Sequence, residues 1–443
     1  MVLILWACDL TNLPERNMYG LETITPLGDE DFLKYESDIV FNQDSLFTFE
    51  LIIPEEAKAF LDADPAAEDY VPAMIAFQGD TIGPVGVRYK GSIGSFAGCL
   101  SGSNVATPSG SKICTKLSMK VDFTYYQDDY KFYNLNKLQF HSMNHDHSQM
   151  HERLGYCLFG QMGVPAPRCV HARLIINGEY SGLYALVEQV DEQFAAQNFI
   201  DGGGNVYKEV WPTDSKAKAY NERFYLNHLR TNQANKQEEV LIEEFGLDIE
   251  KSDLSDLKSV ISKWMDIDVL ISLAVVDRAI RADDGPFHWY EHNGRIYNHN
   301  YFWYEEPSIN KLYLIPYDLD NAFENIKVIN NTTTAIADDW GEVSSDCEPF
   351  EYAESGKKQR SAACDKLTGG WMSFYEEYED VRSIFINDVF SEHKLNTLLE
   401  KWENQIRVAT KEADLSHQDA LNIFAWEAAL LDLKESLEYA RNN

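Results

Sequence analysis

The 443-residue sequence has little positive charge. Its 38 lysine and arginine residues stand against 72 aspartate and glutamate residues, which gives a formal net charge of −34 at pH 7. Such a field repels phosphate backbones and anionic lipid headgroups, so the sequence argues against a nucleic-acid partner and against peripheral membrane binding. The acidic excess is typical of a solvated surface in salty or calcium-rich surroundings; the alternative is that it attracts a basic substrate.

Long hydrophobic runs are also missing. No apolar run reaches the roughly 20 residues that a transmembrane helix needs. The apolar opening, residues 1–10, is too short for one and lacks a basic leader. Residues 1–35 are therefore interpreted as an N-terminal segment that begins with an ordinary strand or with the remnant of a signal peptide. In the second case, Leu5-Trp6-Ala7-Cys8 suggests a lipid anchor at Cys8.

The seven cysteines include no Cys-x-x-Cys motif and no Cys/His cluster with zinc spacing. Two pairs, Cys99 with Cys114 and Cys347 with Cys364, each flank a polar loop. They are predicted to be disulfides that close surface loops, which indicates an oxidising compartment, either secreted or cell envelope. For Cys157 and Cys169, the sequence leaves open whether they are buried free thiols or a third bridge.

The order of predicted elements indicates an α+β chain in two lobes. Residues 36–192 read as a strand-rich N-lobe with one helix over about 150–162 and a hairpin turn at Asn177-Gly178. Residues 193–443 read as a helix-rich C-lobe that also contains a hairpin with strands 300–304 and 311–315. In such a chain the site is expected in the cleft between the lobes.

A cationic cluster stands out in the strand-rich half. Its members are Arg88, Lys90, Lys116 and Lys120, and they surround a Gly/Ser-rich loop over 91–112. Phosphate binding needs anchored cations and backbone N–H groups that can approach closely, which this arrangement offers. The alternative is that these are solvent-facing side chains that pair with local acids. Glu152, on the predicted helix, either positions such a lysine or is solvated.

An acidic and amide cluster lies in the second half. Asp284 follows a predicted helix, Asn298 and Asn300 precede the hairpin, and Asp318 and Asp320 follow it. A base followed by metal ligands from an amide and a carboxylate is the order found in phosphoryl transferases. Asp and Asn also collect at turns because they satisfy the local backbone, so this cluster alone does not decide the chemistry.

Residues 85–323 resemble the CotH family of atypical protein kinases, which is named after a spore-coat protein. The resembling segments are VGVRYKGS, KLSMKVDF, MHERLGYCLFGQMGVPAPR, LIINGEYSGLYALVEQVDEQF, ADDGP, NHNYFWYE and LIPYDLDNAF. The resemblance implies a kinase-like bilobal fold that uses ATP with Mg²⁺ or Mn²⁺. It implies that Lys116 or Lys120 contacts the phosphates with Glu152 as the helix partner, and that Glu188 lies at the hinge near the adenine.

The resemblance also implies roles in the second half of the chain. Asp284 would be the catalytic aspartate, Asn300 or alternatively Asn298 a metal ligand, and Asp318 the principal ligand with help from Asp320. Two features depart from the family pattern: RYKGSIGSF replaces a shorter RGNSS-like segment, and Glu291–Tyr297 lengthens the path from the aspartate to the amides. Neither removes a candidate group, so an active enzyme is expected.

The predicted function is a secreted or envelope-associated kinase that transfers the γ-phosphoryl group of ATP to Ser or Thr of a protein. The acceptor is expected to be a protein, and a basic one if the acidic surface attracts it; the enzyme is expected to be a monomer without a transmembrane segment. Two alternatives stay open. One is a kinase-fold enzyme that transfers AMP, and the other is a non-catalytic surface or adhesin domain.

Overall fold

A computed structural model of the chain describes residues 36–442, apart from 93, 103, 105–106, 129, 234–239, 325, 327–346 and 353–356. The predicted N-terminal segment 1–35, with its signal remnant and the lipid anchor at Cys8, lies outside the described residues. The described part is mixed α/β, with strands concentrated in its N-terminal part and helices in its C-terminal part.

The strands occur in three sheets. Those of the first sheet are β1 (Phe47–Ile52), β2 (Val71–Phe77), β3 (Asp80–Tyr89), β4 (Met119–Asp122), β5 (Lys137–His141), β6 (Cys169–Ile176) and β7 (Glu179–Val187). The others are β8 (Val206–Lys208), β9 (Trp289–His292), β10 (Arg295–Tyr297), β11 (Tyr301–Glu306), β12 (Lys311–Pro316), β13 (Phe350–Tyr352) and β14 (Lys357–Arg360).

The first sheet is a closed barrel in the order β1-β2-β3-β4-β5-β7-β6. Its neighbours pair antiparallel except β1 and β6, whose parallel pairing aligns Phe49 with Leu174 and closes the barrel. Because side chains alternate between the two faces of a strand, one face of each strand fills the barrel. Phe49, Phe77 and Phe132 meet there at ring-centroid distances of 4.6–6.5 Å.

The helices are concentrated after the barrel. They are α1 (Glu55–Ala63), α2 (His151–Gln161), α3 (Glu192–Asn198), α4 (Glu222–Leu226), α5 (Leu241–Lys251), α6 (Leu257–Trp264), α7 (Ile267–Ile280), α8 (Lys366–Trp371), α9 (Tyr375–Asn387), α10 (Glu392–Ser416) and α11 (Ile423–Asn442).

Several local predictions are confirmed and others need correction. Helix α2 and the β6–β7 hairpin at Asn177-Gly178 lie where the sequence predicts them. The stretch 254–280, whose apolar residues recur at helical spacing, contains two helices, because Met265 is extended and the Asp266 carboxylate accepts a bond from the Val269 N–H to start α7. Helix α1 interrupts a region that reads as strands throughout.

Helix α2 brings the two parts of the chain together. Its residues from His151 to Phe159 are all buried, and it packs on α7 and on the short turn that follows β12. Gly155 allows this approach, because a Cβ atom there would lie only 2.7 Å from Leu319 Cδ1. The turn after β12 is therefore held directly against the first turns of α2.

The predicted insertion Glu291–Tyr297 forms a sheet of its own. Strands β9 and β10 pair with each other, and β14 and β13 extend them into a four-stranded sheet. Both predicted disulfides are present: Cys99–Cys114 closes one loop, and Cys347–Cys364 lies beside this small sheet. Cys169 is buried and free, whereas Cys157 is disulfide-bonded.

No helix in the described part of the chain is both long and apolar enough to cross a membrane. The strand-rich and helix-rich parts follow the predicted order along the chain. That these parts form a kinase-like bilobal fold, with a boundary at 192/193, stays a prediction.

Candidate active site

Four side chains from distant parts of the chain meet where the barrel contacts the helical part. Lys90 follows β3, His141 ends β5, Glu152 lies in the first turn of α2, and Asp318 follows β12. The ligand atoms of His141, Glu152 and Asp318 all lie within 4.8 Å of one another. Since His141 is 5% exposed and Glu152 is 3% exposed, this is a buried cluster of ionisable groups.

A continuous chain of hydrogen bonds links three of these residues. The Lys90 Nζ atom lies 2.5 Å from His141 Nε2, and His141 Nδ1 lies 2.8 and 2.9 Å from the two carboxylate oxygens of Glu152. Burial lowers the pKa of Lys90, whereas the negative charges of Asp318 and Glu152 act to raise it. Burial, and then Asp318, raise the pKa of Glu152.

The backbone holds Asp318 in place. This residue adopts a left-handed conformation with φ 57°, and its N–H donates to the Tyr156 hydroxyl at 2.9 Å. Tyr156 is one helical turn after Glu152 on α2, so one helix positions both carboxylates. Asp284 and Asn300 also have positive φ values, of 66° and 58°. Non-glycine residues in this region are uncommon and concentrate at functional sites.

Two further acidic or amide groups belong to the same region. Asn300 Nδ2 donates to Asp284 Oδ2 at 3.0 Å, so the inserted hairpin β9–β10 leaves these two residues together. Burial raises the pKa of Asp320, and the negative charges of Asp318, Glu152 and Asp284 raise it further. These carboxylates therefore repel one another, and a bound cation would relieve that repulsion.

Two more lysines face the cluster. Lys120 Nζ donates to Gln189 Oε1 at 2.6 Å; burial, and then the nearby Lys90, lower its pKa to about 7. Lys208, on β8, lies 5.5 Å from the centre of the Tyr317 ring, and its charge also lowers the pKa of Lys90. Three lysines thus converge in a protein that is strongly acidic overall.

Beside them, Gln139 offers a buried polar atom. Its Oε1 accepts from the Tyr317 hydroxyl at 3.2 Å, while its Nε2 is buried with no hydrogen-bond partner among the described residues. An unpaired buried donor is unfavourable unless another group binds it. Its position beside the lysines suits an anionic ligand.

Other predicted site residues are engaged elsewhere. Arg88 pairs with Glu68 at 2.6 Å, and Lys116 donates to the Leu183 carbonyl at 2.9 Å. The Glu188 carboxylate accepts from the Arg168 Nε at 3.0 Å within a buried ion pair. The structure therefore does not bring the side chains of Arg88, Lys116 and Glu188 into the cluster, and their assignment to nucleotide binding stays a prediction.

The two candidate amides differ in their contacts. Asn298 is buried and uses both side-chain atoms, because its Nδ2 donates to the Pro286 carbonyl at 2.7 Å and its Oδ1 accepts from the Tyr301 hydroxyl at 2.8 Å. Asn300 donates to Asp284, and its Oδ1 has no hydrogen bond among the described residues. Asn300 is therefore the better placed of the two for a metal.

The donor set fits a hard divalent cation. Carboxylate and amide oxygens from Asp318, Asp320 and Asn300 are the ligands that Mg²⁺ and Mn²⁺ prefer. No hydrogen-bond donor within the described ranges contacts the Asp318 side chain, although its backbone N–H is bonded. A bound cation would give this carboxylate a partner.

Sequence reasoning missed His141 and Lys208. His141 ends a strand in which its ring looks like one more alternating side chain, and only the pairing of β4 with both β3 and β5 brings it to Lys90. Lys208 lies on a three-residue strand whose pairing with β11 sets Lys208 opposite Phe302. In the sequence, the one local indication of the strand that carries Lys208 was the short pattern Val206-Tyr207-Lys208.

Comparison with known families agrees with this geometry. A family model described as CotH kinase protein matches residues 87–442. The chain belongs to the CotH kinase protein family. The match confirms the resemblance and extends it through the C-terminal helices, and membership indicates a kinase-like protein that uses a nucleotide and a metal. Among curated proteins, none is similar enough to count as a relative.

Proposed function

We propose that this CotH-family protein is a metal-dependent kinase that transfers the γ-phosphoryl group of ATP to a serine or threonine hydroxyl of a protein. The observation that carries the proposal is the buried cluster in which the ligand atoms of His141, Glu152 and Asp318 lie within 4.8 Å of one another, with Lys90 in contact with His141 at 2.5 Å. Phosphoryl transfer needs this combination, because catalysis rests on positioning and on neutralising charge.

In this proposal Lys90 is the principal phosphate-binding lysine, since its ammonium lies within the cluster that contains Asp318. Lys120 and Lys208 add positive charge beside it. Asp318 and Asn300, with Asp320, would hold Mg²⁺ or Mn²⁺, which when bound neutralises negative charge on the phosphates.

Asp284 is proposed as the residue that accepts the proton of the acceptor hydroxyl. The hydroxyl oxygen forms a bond to the γ-phosphorus, the bond from that phosphorus to the β–γ bridging oxygen breaks, and ADP leaves. The hydroxyl proton passes to the Asp284 carboxylate, which Asn300 orients through its hydrogen bond at 3.0 Å. Asp284 is half-buried, so an acceptor side chain can reach it.

Charge and cysteine chemistry support the remaining parts of the proposal. A net charge of −34 favours a basic acceptor protein. The two disulfides are compatible with an oxidising compartment, which supports a secreted or envelope location. A monomer is proposed as the working state.

The test is an incubation of the protein with ATP, a general acceptor protein and either Mg²⁺ or Mn²⁺, followed by mass spectrometry of the acceptor. The expected result is the mass of one or more phosphate groups. The mass of AMP would favour nucleotidyl transfer, and no addition with either metal would favour a non-catalytic surface domain.

Asp284→Asn provides the control for the assigned base. It should keep ATP affinity while transfer falls by about 10²-fold or more, the usual scale for a positioned proton acceptor. Unchanged transfer in this variant would contradict the role given to Asp284.

A further inference from the structure

We infer that His141 positions Lys90, so that a lysine–histidine–glutamate chain takes the place of the direct lysine–glutamate ion pair of protein kinases. The inference rests on the proposed function, because it concerns the lysine that is to bind the phosphates. In protein kinases that ion pair must be formed for activity. Here an imidazole ring lies between the two charged groups.

With Lys90 as an ammonium and Glu152 as a carboxylate, the contacts fix the direction of each hydrogen bond. An ammonium group can only donate, so His141 Nε2 must accept from Lys90 at 2.5 Å. An ionised carboxylate can only accept, so His141 Nδ1 must carry the proton that it donates to Glu152 at 2.8 Å. The ring is therefore neutral, with its proton on Nδ1.

Lys90 has no direct acidic partner that could replace this arrangement. Within the described residues, no carboxylate oxygen lies within the 4.0 Å ion-pair distance of its Nζ atom. Besides His141, its one hydrogen-bond contact is the Tyr317 hydroxyl at 3.5 Å. Glu152 thus orients the ring, and the ring orients the ammonium.

A neutral His141 ring between Lys90 and Glu152 also has a chemical consequence. A carboxylate in direct contact would offset much of the ammonium charge, whereas a neutral imidazole holds the ammonium and leaves its charge available to the phosphates. The alternative role for His141 is metal ligation with Glu152 and Asp318. Ligation through Nδ1 would require the proton on Nε2, where it would face the Lys90 ammonium.

The first test reads the position of the proton directly and needs no activity. The full-length protein, ligand-free and labelled with ¹⁵N in its histidine rings, is measured by NMR at neutral pH. The His141 signal is identified among the 11 histidines as the one that His141→Asn removes. The expected result is a neutral ring protonated on Nδ1, and a proton on Nε2 would overturn the inference.

The second test uses two amides of different length. In His141→Gln the amide can place its oxygen where Nε2 was and so accept from Lys90. In His141→Asn the shorter amide reaches only the Nδ1 position, which keeps a contact with Glu152 and loses Lys90. The two variants therefore separate the contact with Lys90 from the contact with Glu152 at one position.

The expected result is asymmetric. In His141→Asn, kcat/KM for ATP should fall by about 10²-fold with a raised KM, whereas His141→Gln should stay within about 10-fold of the wild type. Equal losses, or an unchanged KM in His141→Asn, would make the role structural and overturn the inference. An equal loss of Mn²⁺ affinity in both variants, measured by calorimetry without nucleotide, would overturn it in favour of metal ligation.

The two proposals fail in different ways. If the wild type transfers no phosphate, the proposed function fails, and the NMR measurement still decides whether His141 links Lys90 to Glu152. If the wild type is active and the ring is protonated on Nε2, only the inference about His141 fails.

Discussion

Replacing Lys120 with methionine should stabilise the ligand-free protein at pH 7 and weaken ATP binding at the same time. Lys120 is a half-buried cation whose pKa is lowered by burial and further by the charges of Lys90, Lys137 and Arg88. Such a cation is unfavourable for folding, and the proposed function explains its presence through the phosphates. Methionine keeps the length of the side chain and removes the charge.

The size of the effect follows from the pKa of Lys120. Its value falls from 10.5 to about 7 in the folded protein, and at about 1.4 kcal/mol per unit this corresponds to about 3 to 5 kcal/mol. The substitution also loses the hydrogen bond to Gln189, worth about 1 kcal/mol. The expected net gain in the free energy of unfolding at pH 7 is therefore about 2 to 4 kcal/mol.

The sign of the pH dependence is fixed by linkage. The pKa of Lys120 is lower in the folded protein than in the unfolded chain, so between pH 7 and about 10.5 the unfolded wild type binds more protons than the folded one. Lys120 therefore makes the stability of the wild type rise with pH across that window. The advantage of Lys120→Met should therefore shrink steadily towards pH 10.5. Urea denaturation at several pH values measures it.

Lys116→Met is the matched control. Burial lowers the pKa of Lys116 to about 8, so this variant should also gain stability, but its ammonium contacts the Leu183 carbonyl outside the cluster. It should keep wild-type ATP affinity, while Lys120→Met should lose about 10-fold or more. A Lys120→Met protein that is less stable at pH 7, or one that binds ATP as the wild type does, would show that Lys120 is not a destabilising cation held for the phosphates.

Two other predictions concern stability alone. Removing the Cys99–Cys114 disulfide with paired serines should lower the free energy of unfolding by about 3 kcal/mol, because the bridge closes a loop of 15 residues; an unchanged denaturation midpoint would argue against the bond. Glu188→Ala should destabilise the protein by about 3 kcal/mol, because it removes the buried carboxylate of the Arg168 ion pair and leaves Arg168 with the more exposed Asp38. The KM for ATP should stay unchanged in this variant, and a raised KM would support the predicted role of Glu188 at the hinge near the adenine.

The sequence predicted those structural elements that a few neighbouring residues determine. The Asn-Gly pair at 177–178 gives the β6–β7 hairpin because both residues adopt positive φ values there. The run that forms α2 ends at Gly163, also at positive φ. In contrast, nothing local indicated that β1 would pair in parallel with β6 across more than a hundred residues, which is the contact that closes the barrel.

The residues of the candidate site were likewise predicted only in part. Asp284, Asn300 and Asp318 were found because Asp and Asn after helices and strands form a recognisable pattern. The partner of Lys90 was not found, because the pairing of β3, β4 and β5 sets His141 beside it. Lys116 and Lys120 lie four residues apart, where period-two alternation places both on one face, so the sequence could not tell which of them faces the cluster.

Calorimetric titration of ATP, with and without Mg²⁺ or Mn²⁺, into the wild type and Asp318→Asn decides whether the cluster around Lys90 and Asp318 binds the nucleotide. Asp318→Asn keeps the shape of the side chain and removes the charge. A melting curve close to that of the wild type is the control for folding.

If the cluster around Lys90 and Asp318 binds the metal–nucleotide complex, the metal should strengthen ATP binding to the wild type and should have little effect on Asp318→Asn. Equal strengthening by the metal in both proteins would contradict the account and place the nucleotide elsewhere.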